Sequence, residues 1–185
     1  MLQKSSKNKN YSGFSFIEVI LAVFLISTGM IAVMSLMSSS LRDSMDSRDQ
    51  IVGVLLSQEG IELVRNLRDN NWANDRDTFD TDIIYSGFPL SSADNCRIHS
   101  GSIISCGGSY VLSFGSSDND YNHSSGTPTK FQRRIQVDYY GADKNSAEIT
   151  SIVIWGGIFP ASLNNCNSSA KCAYTKTILT RWGGM

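Results

Sequence analysis

The chain has 185 residues and a mass of 20.3 kDa, with 41% hydrophobic and 18% charged residues, a net charge of -1 and a mean hydropathy of -0.14. That length admits one ordinary domain, or a domain with an appendage, and excludes a multidomain assembly. Eight Phe, seven Tyr and three Trp exclude disorder throughout, and the near-zero net charge argues against a dedicated nucleic-acid binder.

Residues 1–13 are polar and carry Lys4, Lys7 and Lys9 without an acid. Residues 14–37 then read FSFIEVILAVFLISTGMIAVMSLM, 24 residues with no proline and one charge, Glu18. A helix of that length spans about 36 Å, enough to cross a hydrocarbon core of roughly 30 Å. Positive charge directly before a span holds that end in the cytoplasm and sends the following residues outward. A secretory signal has an apolar region of only about 7–15 residues, ending at a small-residue cleavage site. The block here is longer and Ser38-Ser39-Ser40 is a poor cleavage site, so the block is expected to stay in the mature protein. Glu18 stands out, because a carboxylate at the centre of a span costs on the order of 3 kcal/mol unless it has a partner or reaches the interface.

Residues 39–71 continue in helical rhythm. Val52, Leu56, Leu63 and Leu67, with Leu55 beside them, form one apolar stripe, and charged residues fill the other faces. Gly53 and Gly60 are candidate bends, and Asn70-Asn71-Trp72 is a stop signal. A single helix from 14 to 70 would be about 85 Å long; the alternative is a break near Ser38.

Residues 72–185 are rich in Ser, Gly, Asn and Asp, with strands predicted at 131–140, 148–155 and 173–180 and a weaker one at 110–114. Residues 148–155 are apolar on both faces and therefore central, and 141–145 form a hairpin turn to the strand before. Three or four antiparallel strands on one amphipathic helix make a two-layer α+β head. Cys96, Cys106, Cys166 and Cys172 all lie in this segment, which suits two disulfides in an oxidising compartment. Proximity favours Cys96–Cys106 and Cys166–Cys172 among the three connectivities. The nine and five intervening residues do not match zinc spacing.

No nucleophile elbow, His-Glu-x-x-His pair, phosphate loop or dinucleotide fingerprint occurs, and His99 and His123 lie in Ser/Gly-rich loops. Neither enzymatic activity nor a cofactor is expected. Asp118, Asp120 and Asn122 alternate like the start of a calcium loop, but His123 and Thr129 occupy its glycine and glutamate positions, so a solvated acidic turn is the favoured reading. Lys130, Arg133 and Arg134 cluster in sequence, yet strand alternation sends the two arginines to opposite faces. They read as solvated strand residues rather than a nucleic-acid patch.

The basic leader, Gly13, Phe14, Glu18 and the apolar helix together resemble the N-terminus of type IV pilins and pseudopilins, directly over residues 1 to 40. The run that follows Glu18 is most similar to PilV-type minor pilins and minor pseudopilins. Ser35 stands where many major pilins carry proline, and Gly29 and Ser38-Ser39-Ser40 are left to loosen the helix. The resemblance implies that a prepilin peptidase cuts between Gly13 and Phe14 and N-methylates Phe14. Glu18 becomes the fifth mature residue and pairs with the N-terminal ammonium of a neighbouring subunit. Opposite charges in lipid are each costly alone and tolerable together.

The fold so implied is pilin-like: a leader at 1–13, a membrane and assembly helix at 14–38, its amphipathic continuation at 39–71, and an antiparallel head at 72–185 with disulfide loops that vary among pilins. The implied partners are the peptidase, other pilin subunits, the cytoplasmic membrane and an assembly platform, with a surface or DNA ligand undetermined. The chain is then a single-pass cytoplasmic-membrane precursor, later a subunit of a surface filament for adhesion, motility or DNA uptake. The alternatives are a minor pseudopilin of a type II secretion system and an anchored ligand-binding ectodomain that never polymerises. Loss of the leader removes three of the 16 basic residues, leaving 13 against 17 acids and a net charge of -4.

Overall fold

A computed structural model describes residues 13, 15–73, 96–99, 102–106, 108–115, 119–140 and 146–180. Phe14, the leader before Gly13, Asp118 and the hairpin turn at 141–145 lie outside the described residues, as do the side chains of Cys96 and Cys106. The architecture is α+β: a long N-terminal helix, α1 (Phe16–Ala73), and an antiparallel sheet with seven strands among the described residues. The chain divides into two compact units, Met1–Met45 and Asp46–Met185.

In the first unit the helix buries none of its apolar side chains, and it is long and apolar enough to cross a membrane. It runs without interruption through Ser38-Ser39-Ser40. Its hydroxyls bond back to the preceding turn: Ser27 Oγ donates to Val23 O at 2.7 Å, Thr28 Oγ1 to Leu25 O at 3.0 Å, and Ser39 Oγ to Leu36 O at 3.0 Å. Such back-bonds give these three hydroxyl protons an acceptor without any partner outside the helix.

In the second unit the rest of α1 packs on a sheet built from β1 (Cys96–His99), β2 (Ser102–Cys106), β3 (Val111–Phe114), β4 (Tyr121–Asn122), β5 (Thr127–Tyr140), β6 (Ser146–Trp155) and β7 (Cys172–Thr180). The organiser is β5. One of its edges pairs with β6 from Phe131↔Trp155 to Tyr140↔Ser146, while the other is shared by β3 and, at Ile135, by β1. β6 is central, lying between β5 and β7, as its two apolar faces predict. The strands that local pattern does not predict are β1, β2 and β4. Two of these form a short hairpin with a register shift, and the third has only two residues, so none presents a readable alternation.

The sheet-facing side of α1 corrects the predicted stripe. Leu56 and Leu67 are buried as expected, but Leu55 is exposed and Leu63 only half-buried. The buried line is Gly53, Leu56, Ser57, Gly60, Ile61, Val64 and Leu67. Gly53 and Gly60, the candidate bends, are points of contact with the sheet. A Cβ on Gly53 would come within 2.5 Å of the Trp155 ring, and one on Gly60 within 2.2 Å of Ser151 Oγ. The small residues let helix and strand backbones approach closely, which a pattern of large apolar residues alone does not reveal.

The core lies between helix and sheet in two apolar clusters. One gathers Ile61, Val64, Leu67, Ile98, Ile135, Val137, Ile149 and Leu179; the other gathers Leu56, Leu112, Phe131, Val153 and Trp155. Between them the surface of contact is polar. Arg133, expected to be solvated, is fully buried: its Nη1 donates to Leu56 O at 3.2 Å and pairs with Glu59 Oε1 at 3.1 Å. Ser57 and Thr175 share a hydroxyl bond of 2.6 Å across the same layer. A buried guanidinium is tolerated only with such partners, because an unpaired charge there would cost several kcal/mol.

Gly60→Ala should therefore destabilise the head by about 1–3 kcal/mol, the usual cost of overpacking. Adding Ser151→Ala, which removes the nearest atom, should recover part of the loss in denaturant unfolding. Unchanged stability in the single variant would contradict the close approach.

Candidate functional site

The sequence points to two places, the start of α1 and the loops of the head. At the first, Gly13 is exposed, with open space where a Cβ would stand. Helix α1 begins two residues beyond Phe14. Ser15 O accepts the first helical bonds, from Glu18 N at 2.9 Å and Val19 N at 3.3 Å. Glu18 is thus in the first turn and exposed. A carboxylate there faces unsatisfied amides at the positive end of the helix dipole, a favourable position irrespective of any other partner. The spacing Ser15-x-x-Glu18 is also that of a capping box, a local signal for a helix start at this point.

At the head, the segment between β6 and β7 folds back over the face of the sheet opposite α1. Its end is closed by the Cys166–Cys172 disulfide, with Cα atoms 5.0 Å apart. Ser162 begins a 3-10 turn, Leu163–Asn165, and Asn167 organises the next bend by accepting from Ala170 N at 2.9 Å. Phe159 anchors the segment: it meets Tyr110 edge-on at 5.5 Å and lies 4.5 Å from the Arg134 guanidinium. Arg134 also donates to Pro160 O at 3.4 Å, and burial lowers its pKa from the ordinary value. Leu163 and Cys166 cover Ile152, Ile154 and Cys172 beneath. Ile158, beside these anchors, is 93% exposed. The other cysteines, Cys96 and Cys106, are register partners at the open end of the β1–β2 hairpin.

Of the calcium-loop candidates only Asp120 and Asn122 are described, and Asn122 closes a turn. Asn122 is buried, and its Oδ1 accepts from Ser124 N at 3.0 Å, Ser125 N at 2.9 Å and Ser124 Oγ at 3.3 Å. Its Nδ2 donates to Asp120 Oδ1 at 3.2 Å. An oxygen that already closes a turn through three donors is not available as a metal ligand. Among the described residues no group of three or more His, Cys, Asp or Glu is placed to hold a metal ion.

The basic trio is dispersed. Lys130 pairs with Asp49 of α1, Arg133 is in the core, and Arg134 is on the opposite face under Phe159. On that opposite face, beyond the covering loop, Glu148 accepts from Tyr140 Oη at 2.9 Å and pairs with Lys176. Lys176 holds the Glu148 carboxyl below its usual range, with help from Tyr140; Glu148 in turn raises both the Lys176 ammonium and the Tyr140 phenol.

Comparison of the chain with protein-family models, with curated proteins and with solved structures found no match.

The Asn122 geometry yields an expected outcome. Asn122→Ala should lower head stability by about 0.5–1.5 kcal/mol, since the backbone amides of Ser124 and Ser125 lose their side-chain acceptor. Millimolar calcium should leave the melting temperature of the unaltered chain unchanged. A calcium-dependent rise, followed by differential scanning fluorimetry, would overturn this assignment.

Proposed function

We propose that the chain is a minor-pilin-like structural subunit. In this reading a prepilin peptidase cuts it between Gly13 and Phe14 and N-methylates Phe14. It then resides in the cytoplasmic membrane by the first part of α1, and an assembly platform draws it into a surface filament with other pilin subunits. The role is structural and adhesive, with no catalytic step.

The observation that carries this reading is where the exposed apolar surface of α1 ends. A bilayer needs about 20 residues of helix, which from Phe16 is complete near Leu36. Leu41, Met45, Ile51 and Leu55 lie beyond that point and are all exposed. Ile51 and Leu55, spaced i,i+4, are turned away from the sheet that buries Leu56 and Gly60. A monomeric anchored ectodomain gains nothing from such surface in water, whereas packing of like helices side by side covers it. The Glu18 carboxylate fits the same reading, as the partner of a neighbour's N-terminal ammonium in an apolar filament interior.

Two substitutions separate this role from helix capping. Glutamine serves at the third helical position of a capping box but carries no charge. Glu18→Gln and Glu18→Ala should both insert in the membrane and both enter sheared surface filaments less well than co-expressed unaltered chain, by on the order of tenfold or more. Restoration by glutamine would reduce Glu18 to a cap. Absence of the unaltered chain from filaments would contradict the function itself.

A further inference from the structure

The edges of the sheet are unequal. β4 has two residues, and β2 belongs to a hairpin whose pairing with β1 slips between Arg97 and Ile98; short or irregular edges are poor templates for further pairing. β7 differs on each count. It has nine residues and pairs with β6 from Ser146↔Thr180 to Ile154↔Cys172 without a register shift. It contains no proline, and among the described residues no strand pairs with its other side. Its one charge, Lys176, pairs with Glu148 of β6 while its side chain stays 39% exposed on the face opposite α1. Alternate backbone amides and carbonyls along β7 therefore face outward, as in a strand prepared to receive another.

We infer that the outer edge of β7 is a docking site for an extended polypeptide segment of a partner protein, which adds to the sheet as an eighth strand. The side chains of β7 specify the segment. On the face opposite α1 they run Tyr174, Lys176, Ile178, with Tyr174 43% and Ile178 59% exposed. A strand laid beside β7 would place its own alternate residues against these three, so the sequence that fits is apolar, acidic, apolar. Glu148 on β6 and Asp138 on β5 are the acids of this face, but they lie one and two strands further in, at roughly 4.8 Å per strand, and Lys176 is the charge at the edge. Two copies of β7 paired antiparallel about their centres would set Lys176 against Lys176, a like-charge opposition that disfavours self-association there. The partner is thus a different segment. The inference concerns the head alone and stands whether or not the chain enters filaments.

The test uses the full chain in detergent micelles and a fluorescent seven-residue peptide, blocked at both ends. The peptide has valine, glutamate and valine at its second, fourth and sixth positions and threonine between. Binding is followed by anisotropy, with hydrogen exchange at the amides of β7. The glutamate peptide should bind about two- to fivefold more tightly than the same peptide with lysine at its centre, the range for one cross-strand pair. Lys176→Glu should reverse that order, and Lys176→Gln should abolish the preference. Of two peptides N-methylated on odd or on even residues, one should bind and the other should not, because only one set of amides faces β7. Saturation with the glutamate peptide should slow exchange of the β7 amides that do not bond β6. Failure to bind, equal binding of both methylated peptides, or the same amides already protected in the free chain would each overturn the inference.

Discussion

The close approach of α1 to the sheet is the contact on which the head depends. Gly53 and Gly60 bring the helix so near to Trp155 and Ser151 that no side chain fits between them. Ile61 and Val64 can then meet Ile135 and Ile149, and Leu56 can meet Phe131 and Val153. The same proximity lets the carbonyl of Leu56 reach the buried guanidinium of Arg133. It also decides what remains outside. With one face of the helix committed to the sheet, Ile51 and Leu55 stay on its exposed side, available to something other than this chain.

Much of this is legible in the sequence, and the exceptions have physical causes. The apolar helix is readable because 24 residues with one charge and no proline make a helix long and apolar enough to cross a membrane. β5, β6 and β7 are readable because each is long enough to show alternation, and the two-sided apolar character of β6 correctly marks it as central. The sheet-facing line of α1 is not readable from hydrophobicity, because close packing here is achieved by Gly53, Ser57 and Gly60, which hydrophobic counting leaves out. Arg133 escapes for a related reason: its burial depends on Glu59 and the Leu56 carbonyl, partners more than 70 residues earlier that no local pattern reveals. Asn122 resembles a metal ligand by its neighbours, although its side chain closes the turn.

The face of the sheet opposite α1 divides into a covered part and an exposed part. Its lower part is sealed by the disulfide-closed loop, whose inner residues Phe159, Leu163 and Cys166 pack on Ile152 and Ile154. Ile158, on its outer side, is exposed and takes no part in that packing. The upper part keeps Tyr174 and Ile178 exposed beside the Glu148–Lys176 pair. The head thus has two separate exposed surfaces, one on the loop and one along the edge of β7.

The proposed role turns on whether the polar leader is removed at the boundary that the residue pattern marks. Mass spectrometry of the mature N-terminus, on chain recovered from the membrane fraction of the cells that make it, tests this directly. The expected result is a first residue at Phe14 carrying one additional methyl group on its amine. An intact Met1, or a cut at any other position, would contradict it.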